Sequence, residues 1–309
     1  MLSRTADSLF WLGRGSERAG NVARGLSATH RMAALAAASG GAAEEWRALI
    51  VATGSAPGFD AKHAVFTPEA AIHWLTFDTD NPSGIVACIE AARRNARSVR
   101  TALTADMWAA INDTWSELRR MPADAARGDR LPGFLEWVGA RTLLFNGAAA
   151  DTMLRDDAWL FVRLGTMLER ADNTARLLDA RHAAFAPGAG DASQWQAALR
   201  AVSALRAYQH VFRTRLDPRR TAELLILRPE LPRSMRACTA QVDRILEQIG
   251  AATGRRGEAQ RLAGEQHAAL RFGRIEDILA GGLHGFLTRA IDRNLDIGRE
   301  IAATYLDSA

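Results

Sequence analysis

Leu164-Gly165-Thr166-Met167-Leu168-Glu169-Arg170-Ala171-Asp172-Asn173-Thr174-Ala175-Arg176-Leu177-Leu178 decides the reading of the fold, because the chain carries this stretch twice. The other copy is Leu12-Gly13-Arg14-Gly15-Ser16-Glu17-Arg18-Ala19-Gly20-Asn21-Val22-Ala23-Arg24-Gly25-Leu26. Both fit L-G-x-x-x-E-R-A-x-N-x-A-R-x-L at an offset of 152 residues. On a helix Glu17, Asn21 and Arg24 fall at i, i+4 and i+7 and share a face, which Arg14 joins one turn earlier. Glu169, Asn173 and Arg176 repeat that arrangement. Arg18 and Arg170 lie about a hundred degrees around the helix from the glutamates. The other sides of both stretches are apolar or small, so part of the polar face is expected to be buried.

The duplication extends outward from the motif. Trp46 matches Trp195, Pro82 with Cys88 matches Pro232 with Cys238, and Gly133-Phe134-Leu135 matches Gly285-Phe286-Leu287, at offsets from 149 to 152. Apolar residues recur at three- and four-residue spacing almost everywhere, and strand-like alternation is absent. The expected fold is therefore all-α. It is a helical bundle built from two duplicated units of about 150 residues, 1–150 and 151–309, related by a pseudo-two-fold axis within a single domain.

Local signals divide the bundle. A first helix from Ser3 to near Ala38, with the stripe Leu9, Leu12, Ser16, Ala19 and Ala23, ends at Gly40-Gly41. A short helix spans Glu44 to Thr53, and Gly54 to Phe66, with Pro57-Gly58, reads as a loop. Thr67-Pro68, Asn81-Pro82, Asp217-Pro218 and Leu231-Pro232 each read as helix starts, and Asp191 to Gln194 as a capping box. A long second-half helix is expected from Thr152 to Ala184, with Arg155-Asp156-Asp157 supplying acids at its start. Gly250 and Gly254 bracket a break, and the last helical region, Glu258 to Tyr305, is interrupted near Gly281-Gly282. Trp11, Trp108, Trp137 and Trp159 fall at core-like positions.

Composition narrows the classes of function. Of 39 basic residues only Lys62 is lysine, and the arginines lift the pI to about 9.8 although the net charge is +4. Most arginines lie within a helical turn of Asp or Glu, which reads as solvated, ion-paired surface and argues against nucleic acid. No apolar run is long enough to cross a bilayer, so no membrane partner is expected. Cys88 and Cys238 have no CxxC partner, and Met1 to Asp7 lacks the pattern of a signal peptide. A reduced, cytoplasmic setting is the expectation.

The motif supports two chemistries. In one, Glu, Arg and Asn satisfy each other and fix how the two long helices cross. In the other, Glu17 and Glu169 meet near the axis as a paired-carboxylate site for a metal or for acid–base work. The candidate binding set is Arg14, Glu17, Arg18, Asn21, Arg24, Glu169, Arg170, Asn173 and Arg176. No catalytic residue is assigned, and no metal or cofactor is expected, because the seven histidines show no HExxH or paired spacing and no Walker or dinucleotide glycine pattern occurs. A basic run, Glu90 to Arg100, offers a weaker anion site or an exposed face paired with Glu90.

At these residues the chain resembles the bacterial alpha-E family. The resemblance is carried by Met1 to Arg14 with Glu17-Arg18, by Asp80-Asn81-Pro82-Ser83, and by Phe134-Leu135-Glu136-Trp137. Thr152 to Asp156 and, most specifically, Leu164 to Asp179 complete it. In the first motif Gly15-Ser16 and Gly20 depart from the family pattern, which tends to have an acid at position 20. The resemblance implies an all-helical protein encoded beside circularly permuted ATP-grasp ligases and transglutaminase-like proteins. It implies an accessory, scaffold or peptide-binding subunit of an ATP-grasp-dependent peptide synthesis or tagging system. The alternative is an enzyme or metal-binding protein that uses the paired Glu motifs.

Overall fold

The computed structural model describes residues 3–36, 42–122, 124–185 and 192–306. Among them there is no strand. Seven helices form the first half: α1 (Ser3–Ala36), α2 (Ala42–Ala52), α3 (Ala56–Lys62), α4 (Pro68–Thr76), α5 (Ile85–Ser98), α6 (Ala105–Leu118) and α7 (Leu131–Thr152). The second half opens with α8 (Asp157–Asp179), α9 (Ala192–Ala201), α10 (Leu205–Phe212) and α11 (Pro218–Leu227). It continues with α12 (Met235–Thr253), α13 (Glu258–Phe272), α14 (Ile275–Ala280) and α15 (Leu283–Ile301), and a π-helical turn closes the described chain.

The two motif helices, α1 and α8, pack directly on each other. Around α1 stand α5 and α7, bridged by α6, and around α8 stand α12 and α15, bridged by α13. The next helices cross over: α9 packs on α1, and α2 packs on α8. One apolar core draws Leu9 and Leu12 of α1 together with Phe145, Phe161, Leu164 and Ile245, so it spans both halves. The stripe expected on the first helix, Leu9, Leu12, Ser16, Ala19 and Ala23, is buried throughout.

Two glycines set how close the motif helices come. A Cβ on Gly13 would stand 2.1 Å from the carbonyl oxygen of Val162. A Cβ on Gly165 would stand 2.1 Å from that of Phe10. The contacts are reciprocal, and a methyl group at either position would force backbones apart rather than shift a side chain.

Several local expectations need correction. Residues 56–62 form a helix where a loop was expected: Pro57 occupies its first turn, where a missing N–H costs nothing, and Phe59 is buried. Pro82 and Pro232 do not begin helices; they lie in the turn before, and α5 and α12 start behind the caps Gly84 and Ser234. Asn81 instead anchors that turn, donating from its side chain to the carbonyl of Trp74. Thr152 ends α7, and α8 starts behind Asp156, whose carboxylate accepts from the Ala158 and Trp159 amides. Gly250 lies inside α12, so only Gly254, with φ of 69°, breaks the chain there. Trp11 is 42% exposed rather than core, covered by the Arg14 guanidinium 5.1 Å from its ring centre. The Thr67 and Asp217 caps stand as expected, each accepting from the amide three residues on. Gly40-Gly41 and Asp191 lie outside the described residues. No described helix is long and apolar enough to cross a membrane.

The close approach yields a direct test. Gly165→Ala should cost about 3 kcal/mol, at the upper end for overpacking. Gly147→Ala, on α7 with open space around its added methyl, should be neutral or stabilising by up to about 1 kcal/mol. Urea unfolding of the two variants checks the contrast.

Candidate functional site

Because Gly13 and Gly165 let α1 and α8 touch, each motif reaches the other's charges. Arg170 donates from Nη2 to Oε2 of Glu17 at 2.7 Å. Arg18 grips Glu169 with two bonds, Nε to Oε1 at 2.6 Å and Nη2 to Oε2 at 2.8 Å. The Glu of each copy thus holds the Arg of the other. Arg14 adds a bond to Glu169 Oε2 at 2.9 Å. Glu17 also receives Arg233 at 2.5 Å and Arg24 at 3.2 Å. Asn21 Oδ1 accepts from the same Arg24 and Arg233.

Both glutamates are buried, and burial alone would raise their pKa values. For Glu17 the cations Arg233, Arg170 and Arg24 outweigh burial, and for Glu169 Arg18 and Arg14 do. Both carboxyls are brought down to about 2. Every oxygen of the pair accepts from a guanidinium, and each glutamate takes three such bonds against roughly four lone-pair sites, so the arginines hold most of the capacity that a metal or a transferable proton would use. Cys88 and Cys238 lie beside the two pairs, and burial pushes both thiols up to about 12.

Beside the Glu169 cluster lies a cavity of about 190 Å³. It collects Arg14, Arg18, Asn21, Glu169, Asn173 and Arg176 from the expected set, while Glu17 and Arg170 are sealed in their own cluster and Arg24 turns to a separate cleft. Asp172, which the motif leaves variable, is the addition that matters. Its Oδ2 accepts from Arg176 at 2.7 Å, but its Oδ1 is buried without a partner. Burial raises its pKa, opposed by Arg176. Asn21 Nδ2 is likewise buried and unpaired. Arg176 therefore departs from the expected face pairing with Glu169. The first copy has Gly20 where the second has Asp172, so Arg24 stays with Asn21 and Glu17 while Arg176 is drawn to the nearer acid.

Arg233 was invisible to motif reading, since it sits 216 residues from Glu17 and just before the cap of α12. The basic run near Glu90 is not paired with that residue: Arg93 bonds Asn112, and Arg100 lies over Trp108. Asp179, His182 and His284 also converge, with ligand-type atoms within 4.8 Å of one another. His284 Nδ1 bonds the Asp179 carboxylate at 2.6 Å and His182 Nδ1 its carbonyl at 2.7 Å, tying the end of α8 to α15. Local spacing could not reveal a trio separated by 105 residues.

The chain belongs to the Alpha-E family, described as a predicted alpha-helical domain with a conserved ER motif, whose model matches residues 1–306. Glu17-Arg18 and Glu169-Arg170 are the Glu-Arg pairs of this chain's two motif copies. The chain is 24% identical to uncharacterized proteins of Mycobacterium bovis and Mycobacterium tuberculosis over 93% of its length. It spans about a third of their length, 35%. No solved structure matches.

Removing Glu17 strands three guanidiniums, whereas removing Glu169 strands two, of which Arg18 is the more exposed. Glu17→Gln should therefore cost about 3–5 kcal/mol, and Glu169→Gln less, by denaturant unfolding. The depressed pKa values also set a pH window. Stability from each glutamate is fully present above its unfolded value near 4.5 and is lost as the pH falls toward about 2, roughly 3 kcal/mol per group. Asp172 acts in the opposite sense, because its folded pKa is raised. Unfolding curves between pH 6 and 2.5 should show a steep net loss for the native chain and a flatter one for Glu17→Gln, with pH values chosen to bracket about 4.5.

Proposed function

We propose that the protein is a peptide-binding accessory subunit acting with a circularly permuted ATP-grasp ligase and transglutaminase-like proteins, and that it works in the cytoplasm. The observation that carries the peptide part is the unpartnered Asp172 oxygen in a cavity rimmed by Arg14, Arg18 and Arg176. A buried carboxylate oxygen without a donor is costly, and a peptide ammonium or amide N–H would satisfy it. The guanidiniums suit a carboxylate on the same ligand, and the Asn173 amide, which also lines the cavity, suits a peptide group. The volume matches one or two amino-acid units. A catalytic or metal-binding role for Glu17 and Glu169 has less support, since their oxygens are engaged by arginine.

The partner classes rest on the family resemblance. The mycobacterial relatives, in which the matching region is about a third of a longer chain, are consistent with a module that acts beside others. The reciprocal glycine contacts and crossed Glu–Arg pairs support reading residues 1–150 and 151–309 as duplicated units of one domain.

Tagged protein drawn from native lysate should bring down an ATP-grasp ligase and should turn over no peptide alone; a preparation free of such a ligase argues against the partner assignment. Asp172→Asn should weaken binding of short peptides about tenfold in calorimetry while leaving Tm unchanged or raised, because it removes a buried, half-paired charge. A fall in Tm with unchanged peptide binding would mark Asp172 as structural only.

A further inference from the structure

The counterpart of the Asp172 cavity lies at the first motif, and its chemistry is different. The turn after α2 carries Gly54 in the left-handed region, φ 68°, beside Arg176. The turn after α9 carries Ser203 there too, φ 58°, and Ser203 and Arg24 line one cleft of about 460 Å³. Left-handed backbone is uncommon at a residue other than glycine, asparagine or aspartate, and marks a turn held by its surroundings.

Four arginines line this cleft and no acid does: Arg24 and Arg31 from α1, Arg200 from α9 and Arg206 from α10. Of the four only Arg24 has an acid partner, Glu17. Arg31 reaches only the Ser27 hydroxyl at 3.4 Å, and Arg200 and Arg206 make no side-chain hydrogen bond or ion pair among the described residues. Arg24 links the cleft to the interior. Its side chain is 16% exposed, and its Nε is buried with no partner. It shares the single carboxylate of Glu17 with Arg170 and Arg233, so three guanidiniums answer one acid and the cluster keeps a positive excess. At the second motif Asp172 supplies a further negative charge in the equivalent place, but here that place is Gly20.

We infer that the cleft bounded by Arg24, Arg31, Arg200 and Arg206 is an anion site for a multiply charged phosphate ligand of the pyrophosphate class. Guanidiniums bind phosphate oxygens in paired hydrogen bonds, and several converging forks match two linked phosphates better than one carboxylate. The Ser203 hydroxyl and the Gln209 amide add neutral donors at the rim. A ligand there supplies the negative charge that the Glu17 cluster lacks, so occupancy ties α1 to α9 and α10. The site does not depend on the peptide reading of the Asp172 cavity.

Inorganic pyrophosphate titrated into the full chain at low salt is the test. Saturable binding is expected, with a rise in Tm and a loss of affinity on adding salt. The exposed pair Arg200→Ala with Arg206→Ala should weaken binding about tenfold or more while leaving the Tm of the free protein within a degree or two, as befits unpaired surface residues. Arg94→Ala with Arg97→Ala, on the rival basic run of α5, should leave binding intact. Binding that is absent at millimolar pyrophosphate, or lost equally in both double variants, overturns the proposal. So does citrate binding as tightly as pyrophosphate. ADP binding more tightly than pyrophosphate would identify the phosphate source as a nucleotide, and equal affinities a free diphosphate.

Discussion

Two carboxylates that must not be left alone in the interior govern this structure. Glu17 and Glu169 are buried on helices that meet at Gly13 and Gly165, and each is held by the arginine of the opposite motif. The arrangement works only at one register. A slide of one turn along the axis, about 5 Å, would carry both guanidiniums beyond hydrogen-bond reach and strand four charges at once. The glycine contacts at Gly13 and Gly165 fix where α1 and α8 can touch, and the crossed pairs lock the same register.

The same frame is specialised differently on its two sides. Around Glu17 the turn before α12 contributes Arg233, which fills the space and caps the carboxylate. Around Glu169 the corresponding turn before α5 contributes Ser83, a small hydroxyl that leaves a cavity. Asp172 against Gly20 completes the difference: one side gains a half-satisfied acid, the other an excess of arginine. Two pairs of positions, Arg233 with Ser83 and Asp172 with Gly20, thus separate the surroundings of the two motif copies.

Much of this was legible in the chain. Helical periodicity, the repeated motif and the caps Thr67 and Asp217 all state local preferences that the fold respects. What eluded reading is what depends on distance. Arg18 and Arg170 point away from their own glutamates, so a single-helix view makes them bystanders, whereas across the helix pair they are the principal partners. Arg233 carries no local pattern at all. The prolines at 82 and 232 mislead for another reason: a buried side-chain bond from Asn81 and the Ser234 cap hold each proline in the turn that precedes the helix. Trp11 misleads because an aromatic at a periodic position can be covered by a cation rather than by the core.

Cys88 and Cys238 give the fold a property of its own. Each is a free thiol, buried, and donates to the carbonyl of the proline six residues before it, Pro82 or Pro232. With pKa values near 12 neither is a thiolate in the closed chain, so alkylating reagents meet no nucleophile. Each thiol becomes reactive only when its own helix, α5 or α12, lifts from the motif helix beneath it. The protein thereby carries two chemical clocks, one per half, whose rates of modification report separately how often each side breathes.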